Sequence, residues 1–266
     1  MTRAVVLAAG RGARMRAAAP DVVLDPAQGA AADQGLKGLV PFHGHVFLSY
    51  VLTSLADAGY NDVCLVTGPG SDPVRTHFER LTTRRLRLSF AVQEAPLGSA
   101  HALLAAEAFS AGSDVIVLNS DNRYPAEALR ALRGLAGSGL IGFRPDGLLA
   151  GNIDRDRLTG YAIVEMDETG MLRSIIEKPD AARLAAAGGQ LVISMTCWRF
   201  GPGIFDAIRA TPRSARGEFE IPDAVRIAMR TECFEVIPLS VPVLDLSQRG
   251  DIPRVGKLLD GGSVDL

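Results

Sequence analysis

A three-layer α/β/α fold around a mixed, mostly parallel central sheet is what this 266-residue sequence predicts. Three observations predict it. The chain opens on an apolar run, Ala4 to Leu7, that passes directly into the small-residue turn Ala8-Ala9-Gly10-Arg11-Gly12. Short apolar runs then alternate with helix-like segments as far as Leu135. Beyond Phe143 that rhythm gives way to a hairpin pattern. An unbroken apolar run bounded by glycine suits a strand buried on both faces, alternation of strands and helices suits parallel crossover units, and the late hairpin adds antiparallel strands.

The elements follow in order. Phe47, Val51, Leu55 and Ala58 fall at helical spacing over Val46 to Ala58, and Gly59 stops that helix. Val63 to Thr67 reads as a buried strand, Pro73 to Leu81 as a helix and Leu86 to Gln93 as a strand. Ala100 to Phe109 is helical by propensity, and Asp114 to Asn119 is a strand ending in polar residues. Pro125 opens a helix through Leu135. Gly139 to Phe143 is followed by two strands, Tyr161 to Met166 and Leu172 to Ile176, around Asp167-Glu168-Thr169-Gly170. Ala181 to Ala187 reads as a short helix, Leu191 to Phe200 as a long strand, and Phe205 to Ala210 and Asp223 to Met229 as helices. Phe234 to Val243 reads as extended, and Asp251 caps a last helix through Leu259. Arg16 to Gln34, rich in Ala, Asp, Gln, Gly and Pro without periodicity, reads as an inserted mobile flap. The expectation is one domain over residues 1–266, with no internal repeat.

Composition narrows the function. A net charge of −2 lacks the basic face that nucleic acid requires. Cys64, Cys197 and Cys233 form no paired framework, and each sits in an apolar run, so all three are expected as buried thiols in a reducing compartment. No apolar run approaches the roughly 18 residues of a membrane span. Gly10-Arg11-Gly12 interrupts the short apolar run that follows Arg3, which argues against a signal peptide, so a cytoplasmic protein is expected. His43, His45, His77 and His101 have no metal-ligand spacing and read as surface or loop residues.

The glycine-rich turn is the first chemical signal. Gly10 and Gly12 let backbone amides approach a ligand, and a strand entering such a turn makes a phosphate cradle. A dinucleotide-binding loop would place a third glycine at Arg14 or Met15 and an acidic residue about 20 positions on, and neither is present. A G-x-x-x-x-G-K-[ST] loop is also absent. Asp121 follows the run Val115 to Asn119, just past the end of a buried strand where parallel sheets meet ligands.

Leu7-Ala8-Ala9-Gly10-x-Gly12-x-Arg14-Met15, followed by Gly35-Leu36-Lys37-x-Leu39-x-Pro41, resembles the signature of the nucleotidyltransferases, and most closely that of the sugar-1-phosphate nucleotidyltransferases, or NDP-sugar pyrophosphorylases. The resemblance runs from Ala4 to about Leu259. It implies a Rossmann-like, GT-A-like nucleotidyltransferase fold and transfer of a nucleotidyl group from an NTP to a sugar-1-phosphate, with release of pyrophosphate. Such an in-line displacement asks the protein to position two anions and neutralise charge rather than to do covalent work.

Residue by residue, the resemblance implies Arg14 and Lys37 as the catalytic cations, with Arg11 and Arg16 solvated or secondary phosphate contacts. Leu7, Ala8, Ala9, Gly10 and Gly12 would bind nucleotide, together with Gln93 and the Gly98-Ser99 turn beneath the base. Gly160, Glu177 and Lys178 of the Glu-Lys-Pro strand end would bind the sugar phosphate, and Asp121 and Asp245 would hold Mg²⁺. Three departures stand out. Ser120 precedes Asp121 where glycine is usual, Leu246-Ser247 follow Asp245 where glycine and threonine are usual, and Ser194-Met195-Thr196-Cys197-Trp198 replaces an Asn-x-Gly stretch. Trp198 is open to a core or a wall role, and Gly217 to Ala224 reads as structural. The partners expected are NTP and sugar-1-phosphate, with no nucleic acid and no membrane; a homo-oligomer is compatible with the sequence. Two rivals stay open: a cytidylyl- or guanylyltransferase acting on a non-sugar phosphate acceptor, and a catalytically silent relative that binds a nucleotide sugar and regulates a partner.

Overall fold

A computed structural model describes residues 3–70, 72–180, 182–184, 188 and 191–266. Most of the helix expected over Ala181 to Ala187 lies outside them. Among the described residues, nine strands form one sheet: β1 (Arg3–Leu7), β2 (Asp62–Thr67), β3 (Arg87–Val92), β4 (Val115–Asn119), β5 (Gly139–Phe143), β6 (Ala162–Met166), β7 (Leu172–Ile176), β8 (Ile193–Phe200) and β9 (Glu235–Leu239). The order is β7-β6-β8-β4-β1-β2-β3, with β5 pairing to both β8 and β9. β1 runs parallel to β2 and β4, and β3 parallel to β2. β8 is antiparallel to β4, β5 and β6, and the β6–β7 pair is the hairpin expected around Asp167 to Gly170.

The alternation of β1 shows why there are three layers. Ala4 and Val6 enter one core with Phe47, Val51 and Leu55 of the helix Phe47–Asp57. Val5 enters the opposite core with Leu103, Phe205 and Val225, from the helices Ser99–Ala105, Gly203–Arg209 and Ile221–Ala228. With both faces covered, a strand needs apolar residues at every position, which is what Ala4 to Leu7 supplies.

Several expectations change. The stretch 16–34 is not structureless: Pro26–Asp33 is a helix. Asp25 accepts from the Gln28 amide at 2.8 Å, Pro26 takes the first helical position, and Ala32 is fully buried in the core. Gly35 (φ +73°) ends the helix, with its amide bonded to Ala32 O at 2.9 Å and that of Leu36 to Ala31 O at 3.0 Å, a Schellman closure. The helix expected over Ala100 to Phe109 breaks at Ala106 into two. Asp251 accepts from the Gln248 and Ser247 amides at 2.9 Å each, so it caps the turn Arg249–Asp251 rather than the helix Ile252–Leu258. Cys64 and Cys197 are buried, but Cys233 is exposed. No described helix is long and apolar enough to cross a membrane.

Candidate functional site

The parallel strands end together. Leu7 sits in register with both Val66 and Asn119, so the segments after β1, β2 and β4 emerge on one edge of the sheet. Two adjoining cavities open there. One, of about 560 Å³, is lined by Leu7, Ala8, Ala9, Gly10, Lys37 and Gln93 among others, and is called here the loop cavity. The other, of about 370 Å³, is lined by Arg14, Arg157, Gly160, Tyr161 and Glu177 among others, and is the hairpin cavity. Ser99, Asn119 and Asp121 line both.

The glycine turn has two jobs, divided between its two glycines. A Cβ at Gly10 would meet nothing within 4 Å, so the backbone there faces open space in the loop cavity. Gly12 is buried in the left-handed conformation (φ +61°), where a Cβ would stand 2.2 Å from Gly35 O. Gly12 lines neither cavity and instead clasps the far end of the 16–34 insertion. That clasp brings Lys37, 25 residues downstream of Gly12, back to the cradle. The Lys37 ammonium lies 2.7 Å from Asp121 Oδ2, both half-buried. Arg14, on the short helix Ala13–Arg16, is exposed and lines the hairpin cavity, while Arg11 lines the loop cavity.

Gln93 stands just past the end of β3 and is 6% exposed. Its amide nitrogen donates to Gly98 O at 3.0 Å and lies 3.2 Å from His101 Nδ1, so both N–H groups are committed and only the amide oxygen is left for a ligand. His101 is therefore no loop residue: it sits on the helix Ser99–Ala105 and stacks on Phe219. The stretch Gly217 to Ala224 grips this turn. Phe219 exchanges backbone bonds with Leu97 and Ala100, Ser99 Oγ accepts from the Ile221 amide at 3.0 Å, and Gly98 (φ +106°) has no room for a Cβ beside Phe219 O.

Asp121 and Asp245 are neighbours across a short ladder, in which Asn122 pairs with Asp245 and the Leu246 amide donates to Asp121 O at 2.8 Å. Their surroundings differ. Asp121 is half-buried at the junction of the cavities. Asp245 is 0% exposed, and its carboxylate accepts from Tyr161, from Arg157 at 3.1 Å and from Ser247. Asn152 brackets its backbone with two bonds of 2.7 Å. Arg157 also reaches Asp251 at 2.6 Å. Burial pushes the carboxyl groups of both Asp245 and Asp251 above the ordinary range, and the Tyr161 hydroxyl rises for the same reason. Arg157 had no motif to flag it: it lies in a 3₁₀ segment, Arg155–Gly160, that apolar periodicity does not reveal.

On the hairpin side, Gly160 and Glu177 line the cavity, whereas Lys178 is exposed (φ +46°) and lines neither cavity. Glu177 is open to solvent at the wall, yet its pKa is raised, first by desolvation and then by the charge of Glu220. Trp198 is a core residue, 1% exposed and stacked on Phe200, with one edge at the cavity. Between Ser194 and Trp198 the register with β5 shifts and Thr196 takes a left-handed φ of +58°. Tyr124 fixes this bulge by donating to Met195 O and Thr196 O. Bulges of this kind re-aim side chains beside sites, and Ser194, Met195 and Thr196 all face the cavity.

Among the described residues, no three His, Cys, Asp or Glu side chains gather as a metal cluster. Mg²⁺ asks for less, being commonly held by one or two carboxylates with substrate phosphates and water. Asp121, a hard oxygen donor at the junction, fits that pattern.

A crevice at the carboxyl ends of parallel strands, with a glycine turn on one side and a carboxylate at its junction, is where open α/β sheets bind ligands. The chain belongs to the nucleotidyl transferase family, whose match spans residues 32–236. The bifunctional protein GlmU of Pelotomaculum thermopropionicum is 31% identical over 230 residues, 85% of this chain and 44% of that protein. A glucose-1-phosphate thymidylyltransferase of Streptomyces griseus is 30% identical over 227 residues, 84% of this chain and 56% of that one. The chain thus spans about half the length of these curated relatives. A UDP-glucose pyrophosphorylase solved with UDP-glucose shares the fold, with a TM-score of 0.74 at 16% identity over 99% of this chain and 100% of that one.

Proposed function

We propose that this chain transfers a nucleotidyl group from an NTP to a sugar-1-phosphate, releasing pyrophosphate and forming an NDP-sugar. The observation that carries the reading is the single junction: Asp121, paired with Lys37 at 2.7 Å, stands where the loop and hairpin cavities meet. The loop cavity takes the NTP, its phosphates on the backbone from Ala8 to Gly10 with Arg11 beside them, and its base under Gln93 and Gly98. A base that presents an N–H to the free Gln93 oxygen suits this wall, as the imide of uracil or thymine does. The hairpin cavity takes the sugar-1-phosphate, with Gly160 allowing close approach and Glu177 accepting from sugar hydroxyls.

The acceptor phosphate oxygen then attacks the α-phosphorus in line, and pyrophosphate leaves toward the loop cavity. Lys37 and Arg14 approach the reacting phosphates from opposite cavities and neutralise the charge that grows on them. Mg²⁺ bound at Asp121 would add fixed positive charge on the phosphate oxygens. Arg14, at the hairpin cavity, is better placed than Lys178 to meet the acceptor phosphate. The reading needs neither nucleic acid nor membrane, and the cytoplasm, which supplies NTP, is its natural compartment.

The test is pyrophosphate release from a matrix of NTPs and sugar-1-phosphates with Mg²⁺. Release that requires both substrates, with UTP or dTTP preferred, is expected. No release from any pair would favour the silent regulatory relative instead.

A further inference from the structure

Among the described residues, four that are not glycine hold a left-handed φ: His43, Ala111, Lys178 and Thr196. Thr196, at +58°, is the β-branched one and the one that lines the hairpin cavity. A branched Cβ crowds the backbone in this conformation, whereas glycine holds it without steric cost. Nothing in the bulge itself therefore calls for a threonine. Nor does the side chain complete a network of the fold, since among the described residues nothing bonds the Thr196 hydroxyl.

The strained backbone is held from several sides. Ile193 and Ser194 pair with β6, and Cys197 to Phe200 pair with β4, so Met195 and Thr196 fall between two ladders. Tyr124, fully buried and stacked on Phe143, closes the gap: its hydroxyl bonds Met195 O and lies 3.3 Å from Thr196 O. A costly φ that its surroundings enforce this firmly belongs to a working site more often than to a passive loop. The place fits that reading. Gly160 and Thr196 each lie two residues from the Ala162–Ser194 pair that ends the β6–β8 ladder, and both line the hairpin cavity with Glu177.

Resting on the transfer reaction proposed above, we infer that Thr196 is an acceptor-binding residue, whose strained backbone presents its hydroxyl to a hydroxyl of the sugar-1-phosphate. A threonine hydroxyl both donates and accepts, so it meets a sugar hydroxyl in either sense, while the ionised Glu177 carboxylate only accepts. The acceptor class follows from this: a hexose-1-phosphate with a free hydroxyl at the carbon that faces Thr196, bound better than an analogue deoxygenated there. The Tyr124 clamp fixes the bulge before the sugar arrives, so little is lost in ordering it on binding.

Three variants separate the hydroxyl from the strain. Thr196→Val keeps the branch and loses the hydroxyl, Thr196→Ser keeps the hydroxyl, and Thr196→Gly removes hydroxyl and strain together. Steady-state kinetics on the full chain use UTP and dTTP, Mg²⁺, and a panel of hexose-1-phosphates with their monodeoxy analogues. The Val and Gly variants should raise the acceptor KM about three- to tenfold with the NTP KM within about twofold, and Ser should stay near wild type. Thr196→Gly should also raise the Tm by about 2–4 °C, because the left-handed φ no longer costs anything. For one monodeoxy analogue, wild type and Thr196→Val should share the same KM, which identifies the partner hydroxyl; a threonine with a merely structural role gives no such match. An acceptor KM unchanged in Thr196→Val, or a lowered Tm in Thr196→Gly, overturns the inference and leaves the transfer reaction standing. No pyrophosphate release by the wild type from any pair overturns the transfer reaction and this inference with it.

Discussion

Gly10 and Gly12 are two positions apart, yet substitution should affect them in opposite ways. Gly10→Ala adds a methyl group that meets no protein atom, so thermal stability should hold while nucleotide affinity falls. Gly12→Ala forces a left-handed backbone and a clash with Gly35 O, and should cost about 2–4 kcal/mol of stability, read as a lowered Tm. Lys37→Ala should lower kcat by about 10²–10³-fold, the usual loss when a preorganised charge facing the transition state is removed. At Glu177 the raised pKa sets a pH dependence. In the proposed role the Glu177 carboxylate accepts from sugar hydroxyls only above that pKa, so kcat/KM for the acceptor should drop as pH falls through a point above the ordinary glutamate range. Glu177→Gln should flatten that acidic limb, and a limb unchanged in this variant would assign the titration to another group.

Among elements, the insertion is where sequence and structure part. Its boundaries were written in the chain: Asp25-Pro26 is a helix start and Gly35 a helix stop. With only small residues between them, no apolar stripe announces the helix, and one alanine, Ala32, carries its burial. Gln28 reaches Pro41 O at 3.0 Å, and Asp33 pairs with Arg249, so this half is anchored to the body. The strands β1 to β4 were legible for the opposite reason: burial on both faces leaves a run that no other element explains. The Arg157–Asp245–Tyr161 network was not legible, because Asp245 lies 84 and 88 positions from Tyr161 and Arg157 and meets them only through the fold. An ordering role for the insertion then belongs to its first half, where Val23 is 89% exposed. Thermolysin should cut between Ala17 and Leu24, and NTP with Mg²⁺ should slow that cut. Equal rates with and without nucleotide would make the segment a passive surface insertion.

Across the whole molecule, the sheet supplies one edge, the edge carries two cavities, and the cavities share Asp121. Gln93, Lys37 and the glycine turn on one side, and Gly160 and Glu177 on the other, come from segments spread over more than 160 residues; parallel strand ends place the glycine turn and Gln93, and the antiparallel β6–β7 hairpin places Gly160 and Glu177. The proposed function gives them one purpose, a direct transfer between two bound anions. Sugar-1-phosphate carrying ¹⁸O in its non-bridging phosphate oxygens tests that claim most directly, with the product read by ³¹P NMR. Direct attack on the α-phosphorus puts ¹⁸O in the bridge of the NDP-sugar and leaves the released pyrophosphate unlabelled. Nucleoside monophosphate with a water-derived oxygen, or label appearing in pyrophosphate, would contradict it.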